Sequence, residues 1–164
     1  MKICILGPSG AGKSTISRAL SDTLGIPNYE FDEVYWNLSG PVFVRNSGDI
    51  MAQKIKGILN EESWIVEGAY DQRMVKILNE CDLILKVETR YRLRSFRLVK
   101  RYILSKLQGK QPTETIRNTI QLLNFSYHYE KKLRLFLKDN KEYMRKTVVV
   151  TDYPSCVDAI RKRQ

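Results

Sequence analysis

The chain opens with a short apolar run, MKICIL, that stops at Gly7. An unbroken apolar stretch of this length, closed by glycine, predicts a buried strand over residues 1–6. The period then changes. Ile16, Ala19, Leu20 and Leu24 recur at helical spacing, so a helix is expected over 14–24 with Gly25 as its stop. A second short strand is expected over 28–31. Residues 37–48 contain Gly40, Pro41 and Gly48 and read as a loop. Helical spacing returns over 49–60, with Asp49 as the candidate cap and Ile50, Ile55, Ile58 and Leu59 as the apolar set. A third strand over 64–66, a short helix over 72–79 and a fourth strand over 83–87 follow. From 90 to 107 the pattern is helical and strongly basic, and Gly109 and Pro112 interrupt it. A long helix is expected over 113–138, with Ile116, Ile120, Leu123 and Tyr127 on one face. The β-branched run TVVV at 147–150 makes a fifth strand, and Pro154 opens a last helix.

Strands alternating with helices predict an α/β fold: a parallel sheet with helices on both faces, three layers in all. Without repeats, low-complexity tracts or linkers, residues 1–164 read as a single domain. The basic helical region at about 90–140 is inserted between strands four and five.

Composition narrows the function classes. Apolar residues make up 43% and charged residues 28%, which excludes a disordered chain. No run of 18 apolar residues exists, so no membrane-spanning helix is expected. The N-terminus is too poor in apolar residues for a signal peptide, and a cytoplasmic location is expected. Cys4, Cys81 and Cys156 are isolated, which argues against a disulfide scaffold or a zinc site. His128 is the lone histidine and reads as a partly buried polar residue rather than a catalyst. The net charge of +10 is uneven. Residues 1–87 hold 9 Lys and Arg against 11 Asp and Glu, whereas 88–164 hold 19 against 7. The second half therefore either faces a polyanion or presents solvated helix faces.

Gly7-Pro8-Ser9-Gly10-Ala11-Gly12-Lys13-Ser14 fits G-x-x-x-x-G-K-[ST], with Thr15 next in the chain. The pattern has a physical logic. Phosphate oxygens must approach several backbone N–H groups at once, and side chains at Gly10 or Gly12 would obstruct them. The helix that follows directs its positive end at the anion. Lys13 supplies an ammonium at the β- and γ-phosphates, and Ser14 a hydroxyl for Mg²⁺. ATP is the expected ligand. Phosphoryl transfer also needs a carboxylate near the loop, and two are candidates at strand ends. Glu67 follows the strand WIV, and Asp32 follows YEF. In a parallel sheet both ends share the loop's edge.

On these residues the chain resembles the adenylate-kinase-like branch of P-loop proteins, and within it the FlaR-type group labelled DNA topology modulation proteins. The resemblance rests on the loop, the segments Phe31-Asp32-Glu33-Val34-Tyr35-Trp36 and Trp64-Ile65-Val66-Glu67-Gly68-Ala69-Tyr70, and the arginine-rich helix after strand four. It implies a sheet order of 2-3-1-4-5 and a short helical lid. It implies further that Glu67, where relatives usually carry Asp, serves the metal. Asp32 would face the acceptor and take a hydroxyl proton. Arg73 would clamp an acceptor phosphate, two residues beyond the position of the Asp-Gly-Phe-Pro-Arg arginine.

Arg90, Arg92, Arg94, Arg97 and Arg101 crowd into twelve residues, with Arg94, Arg97 and Arg101 sharing one helical face. Guanidinium groups can neutralise charge spread over a transferring phosphoryl group. The resemblance selects Arg97 and Arg101 for that role. The expected function is Mg²⁺-dependent phosphoryl transfer from ATP to an unidentified small-molecule or nucleotide acceptor. The alternative is a regulatory ATPase whose basic half holds nucleic acid.

Overall fold

The computed structural model describes residues 1–37, 44–69, 72–108 and 115–163. In chain order the elements are β1 (Lys2–Leu6), α1 (Lys13–Leu24), β2 (Asn28–Glu30), α2 (Phe31–Tyr35), β3 (Trp36–Asn37) and β4 (Val44–Arg45). There follow α3 (Gly48–Asn60), β5 (Trp64–Gly68), a 3₁₀ turn at Gln72–Met74, α4 (Val75–Glu80), β6 (Leu83–Val87) and α5 (Tyr91–Leu107). The chain closes with α6 (Ile116–Asp139), α7 (Lys141–Lys146), β7 (Thr147–Val150) and α8 (Tyr153–Arg161).

Five parallel strands form the main sheet in the order β2-β5-β1-β6-β7. Counted within that sheet alone, this is the expected 2-3-1-4-5. Alternation along β1 splits the core in two. Cys4 and Leu6 join Phe31, Ile55, Trp64, Met74, Ile77, Tyr129 and Leu133 on one face. Ile3 and Ile5 join Ile16, Leu20, Leu83, Leu85, Cys156 and Ile160 on the other. Each such side chain, fully buried, contributes about 1.5–3 kcal/mol, so this two-sided burial is what fixes β1 at the centre. Because every strand runs the same way, the carboxyl ends of β1, β2 and β5 emerge along one edge, where ligands of open α/β sheets bind.

Several expectations change. The strand expected over 28–31 stops at Glu30, so Asp32 lies in the first turn of α2 rather than at a strand end. The loop read over 37–48 is partly ordered: Trp36 pairs with Arg45 and Asn37 with Val44 in a two-stranded antiparallel ribbon. Gly40 and Pro41 lie outside the described residues, as do Tyr70, Gly109 and Pro112. α3 is capped by Ser47, whose side chain accepts from the Ile50 amide, and not by Asp49. An Ncap side chain one residue before the helix satisfies a donor that Asp49, already inside the first turn, does not reach.

The long helix begins at Ile116 under a Thr115 cap, and its expected apolar face turns outward at one end. Ile116, Ile120 and Tyr127 are exposed, whereas Thr119 and Ser126 are buried. Ser126 is polar where α6 meets the buried guanidinium of Arg94, which needs acceptors, and the Thr119 hydroxyl donates to the Thr115 carbonyl of its own helix. His128 is exposed, with Nδ1 2.9 Å from the Asn124 carbonyl.

Candidate active site

The Gly7–Ser14 segment bridges β1 to α1 in the way its sequence requires. Gly10 and Gly12 have φ of 79° and 98°, in the left-handed region that costs other L-residues energy. A Cβ on Gly10 would also sit 2.8 Å from the Arg94 carbonyl oxygen. α1 starts at Lys13 with Gly12 as its Ncap, no side-chain cap and no acidic residue in its first turn. Its leading N–H groups are thus left for an anion.

In front of this helix end lies a cavity of about 290 Å³, lined by Ser9, Gly10, Gly12, Lys13, Ser14, Thr15, Glu30, Asp32, Glu67, Arg97, Leu98 and Arg101. Most of the sequence-predicted residues meet here. The Ser14 hydroxyl donates a hydrogen bond to the Glu67 carboxylate. Lys13 Nζ lies 3.8 Å from the other Glu67 oxygen and 3.3 Å from the Pro8 carbonyl. Gly7, Pro8 and Ala11 are buried in the body of the loop. Asp32 enters from α2, and Arg97 and Arg101 from α5.

The buried pair is electrostatically tense. Burial pushes the Glu67 carboxyl above its ordinary value, with Lys13 and the Ser14 hydroxyl pulling it back. Burial also lowers the Lys13 ammonium, while Glu67 and Asp32 hold it up and Arg101 depresses it further. Each group disfavours its own charge and depends on the other. Polyphosphate at the loop would relieve Lys13, and a divalent cation would relieve Glu67.

Arg97 reaches the loop backbone as well as the cavity, its Nη1 3.3 Å from the Gly10 carbonyl and 3.2 Å from that of Ala11. Arg94 departs from the shared face read from its spacing. It is 1% exposed and turned away from the cavity. Arg73 sits on the 3₁₀ turn with its guanidinium carbon 3.9 Å from the Tyr35 ring centroid, and Arg45 approaches the same ring at 5.1 Å. Tyr35 is one helical turn beyond Asp32, and neither arginine lines the cavity itself.

Glu30, Thr89 and Ser126 belong to the site and were not singled out from the sequence. Glu30 is the register partner of Glu67 across β2 and β5, so both carboxylates stand on one face of the sheet, a pairing that only the strand alignment reveals. Thr89 and Ser126 carry no local signal, since they reach the loop only through the packing of distant segments.

Among the described residues no cluster of three or more His, Cys, Asp or Glu is placed to hold a metal. The hydroxyl and carboxylate of Ser14 and Glu67 are hard oxygen donors. Such a pair suits Mg²⁺, which takes few protein ligands and keeps water and phosphate oxygens. No helix among the described residues is long and apolar enough to cross a membrane.

Solved structures share the fold. The chain is similar to a gluconokinase from Sinorhizobium meliloti 1021, with 15% identity, a TM-score of 0.56, and coverage of 99% of this chain and 88% of that one. It is similar to a shikimate kinase from Bacteroides thetaiotaomicron at 16% identity and TM-score 0.54, covering 99% and 95%. A deoxyadenosine kinase from M. mycoides with bound dATP gives 18% identity and TM-score 0.56, covering 99% and 98%. The chain thus has the α/β fold of these kinases over almost its whole length. No family model matches, and no curated protein matches.

Proposed function

We propose that this chain is a Mg²⁺-dependent phosphotransferase that moves the γ-phosphoryl group of ATP to a small-molecule or nucleotide acceptor. The observation that carries this reading is the meeting of Lys13, Ser14 and Glu67 beneath the loop, with Asp32 and Arg97 lining the same cavity. Kinases with the same fold support it.

Backbone amides of the loop and of the first turn of α1 would grip the triphosphate. Lys13 and Ser14 would hold its β- and γ-oxygens and the metal side. Bound Mg²⁺, held by Ser14 and Glu67 directly or through water, supplies charge neutralisation. Asp32 accepts the proton of the acceptor hydroxyl as its oxygen attacks phosphorus, and the bond to the ADP oxygen breaks in line. Arg97 and Arg101 neutralise the equatorial oxygens in the transition state. Arg73, stacked on Tyr35, is the proposed anchor of an acceptor anion. The segments containing Asp32 and Glu67 support placing the chain near the FlaR-type group.

The basic helix that suggested nucleic acid is used inward in part, while Arg92, Lys100 and Lys106 stay exposed. Arg94 is buried, and Arg97 and Arg101 line the cavity. This supports phosphoryl transfer over a DNA-bound ATPase. The test is a screen of nucleosides, nucleotides and small metabolites for stimulated ADP release, run with Lys13→Ala as a control and beside a DNA titration at several salt concentrations. Acceptor-dependent ADP release that vanishes in Lys13→Ala is expected. Salt-sensitive DNA binding without any acceptor-stimulated release would overturn the reading.

A further inference from the structure

A backbone loop offers its N–H groups to an anion only if its peptide planes are held with the carbonyls turned away. In this molecule the outward carbonyls of the loop accept hydrogen bonds from side chains of the second half of the chain. Ser126 Oγ on α6 is 3.2 Å from the Ser9 carbonyl oxygen. Arg97 Nη1 reaches those of Gly10 and Ala11, and Thr89 Oγ1 is 3.1 Å from that of Ala11. A trans peptide places its C=O and the following N–H on opposite sides. Tying down the Ser9 and Ala11 carbonyls therefore fixes the amides of Gly10 and Gly12, both of which line the cavity.

Two of these three donors are themselves oriented by one side chain. Arg94 Nε is 3.1 Å from Ser126 Oγ, and Nη2 is 3.1 Å from the Ser126 carbonyl oxygen. A hydroxyl that accepts from Nε has its own proton left for Ser9. Arg94 Nη1 donates to the Thr89 carbonyl oxygen at 2.7 Å and holds the turn that carries the Thr89 hydroxyl. Glu130 pairs with the same guanidinium at 2.7 Å and 3.4 Å, which balances its buried charge. The Arg94 main-chain carbonyl abuts Gly10 as well.

Resting on the nucleotide-loop reading above, we propose that Arg94 is a positioning residue for nucleotide binding. Through Ser126 and Thr89 it sets the peptide planes of the phosphate loop, so that α6, distant in sequence, governs the affinity of the loop for polyphosphate. Arg94 touches no substrate in this scheme. Its action predicts coupling: the loss on removing the Ser126 hydroxyl and the loss on altering Arg94 overlap rather than add.

The experiment uses the full-length protein and the Mg²⁺ complex of the β,γ-imido analogue of ATP. Affinity is measured by calorimetry, and the amide resonances of Gly10 and Gly12 are followed by ¹⁵N NMR. Arg94→Lys keeps the charge but not the three-way donation, and is expected to weaken the analogue about tenfold and shift both glycine amides before ligand is added. Ser126→Ala, a small change that leaves the Arg94–Glu130 pair in place, is expected to cost about threefold to tenfold, and Ser126→Thr to restore most of it. In the double variant the losses should fall well short of their product. Unchanged affinity and glycine resonances in folded Ser126→Ala and Arg94→Lys would overturn this proposal while leaving the phosphotransferase reading intact. If Arg94→Lys fails to fold, Ser126→Ala alone decides. Wild-type protein that binds no analogue overturns the nucleotide-loop reading and this inference with it.

Discussion

The two flanks of the phosphate cavity are built from opposite charge. β2, α2 and β5 bring carboxylates: Glu30, Asp32 and Glu67. α5 brings the guanidinium groups of Arg97 and Arg101 beside Leu98, and carries no acidic residue along its length. Lys13 stands between them. The division separates two jobs. The acidic flank can hold a cation and accept a proton, while the basic flank can neutralise the transferring group without losing protons. The flanks also differ in how they are held. Glu67 is fixed within a central strand and is 6% exposed at its side chain, whereas Arg97 reaches across from a helix and bonds loop carbonyls.

The largest test of this division removes the group between the flanks. Lys13→Ala should lower ATP affinity on the order of a hundredfold or more, read by calorimetry, because it deletes the cation shared by loop and phosphate. Wild-type ATP binding in that variant would dismiss the loop as the nucleotide site. Next is the basic flank alone. Arg97→Ala combined with Arg101→Ala should cut turnover by about 10²–10³, as for lost transition-state donors, and weaken ATP by less than about tenfold. Equal losses in both constants would make these arginines ground-state anchors and erase the distinction drawn here.

The acidic flank is probed by Glu67→Gln. This variant should need more Mg²⁺ for half-maximal turnover, since one charged oxygen donor is gone. Its stability should respond in the opposite sense from its activity. Burial holds the Glu67 carboxyl above its ordinary value of 4.5, so the folded state keeps that proton to higher pH than the unfolded chain does. Stability from this group is present at low pH and declines as pH rises from that value through the raised one. Chemical denaturation across pH should show a flatter profile in Glu67→Gln; an unchanged profile would show that the carboxylate is not under strain. The smallest effect belongs to the rim. Arg18 pairs with Glu30 at 2.6 Å from an exposed position on α1, and Arg18→Ala should cost under about 1 kcal/mol of stability.

How much of this was legible in the sequence depends on how far each signal reaches. The phosphate loop is local: its glycines, Lys13 and Ser14 act within eight residues, and spacing alone exposes them. The main sheet was legible because buried parallel strands are short apolar runs, as at 2–6 and 83–87. Asp32 was identified as a candidate, but its element was not, since three residues of strand and five of helix abut with no breaker between them. Arginines on α5 share a periodicity, and periodicity does not say which guanidinium is buried. Only the partners on α6, more than thirty residues away, separate Arg94 from Arg97 and Arg101. The outward face of Ile116, Ile120 and Tyr127 was misread for a related reason. Helical spacing of apolar residues predicts a core only when a neighbour covers them, and α6 instead packs there through Thr119 and Ser126.

The main sheet ends on one side in the three residues of β2 and on the other in the four of β7. A rim this short presents few unpaired amides and carbonyls to another polypeptide. Strand-by-strand accretion between molecules is thereby discouraged, and crowded solutions of the protein are shielded from one common route to fibres.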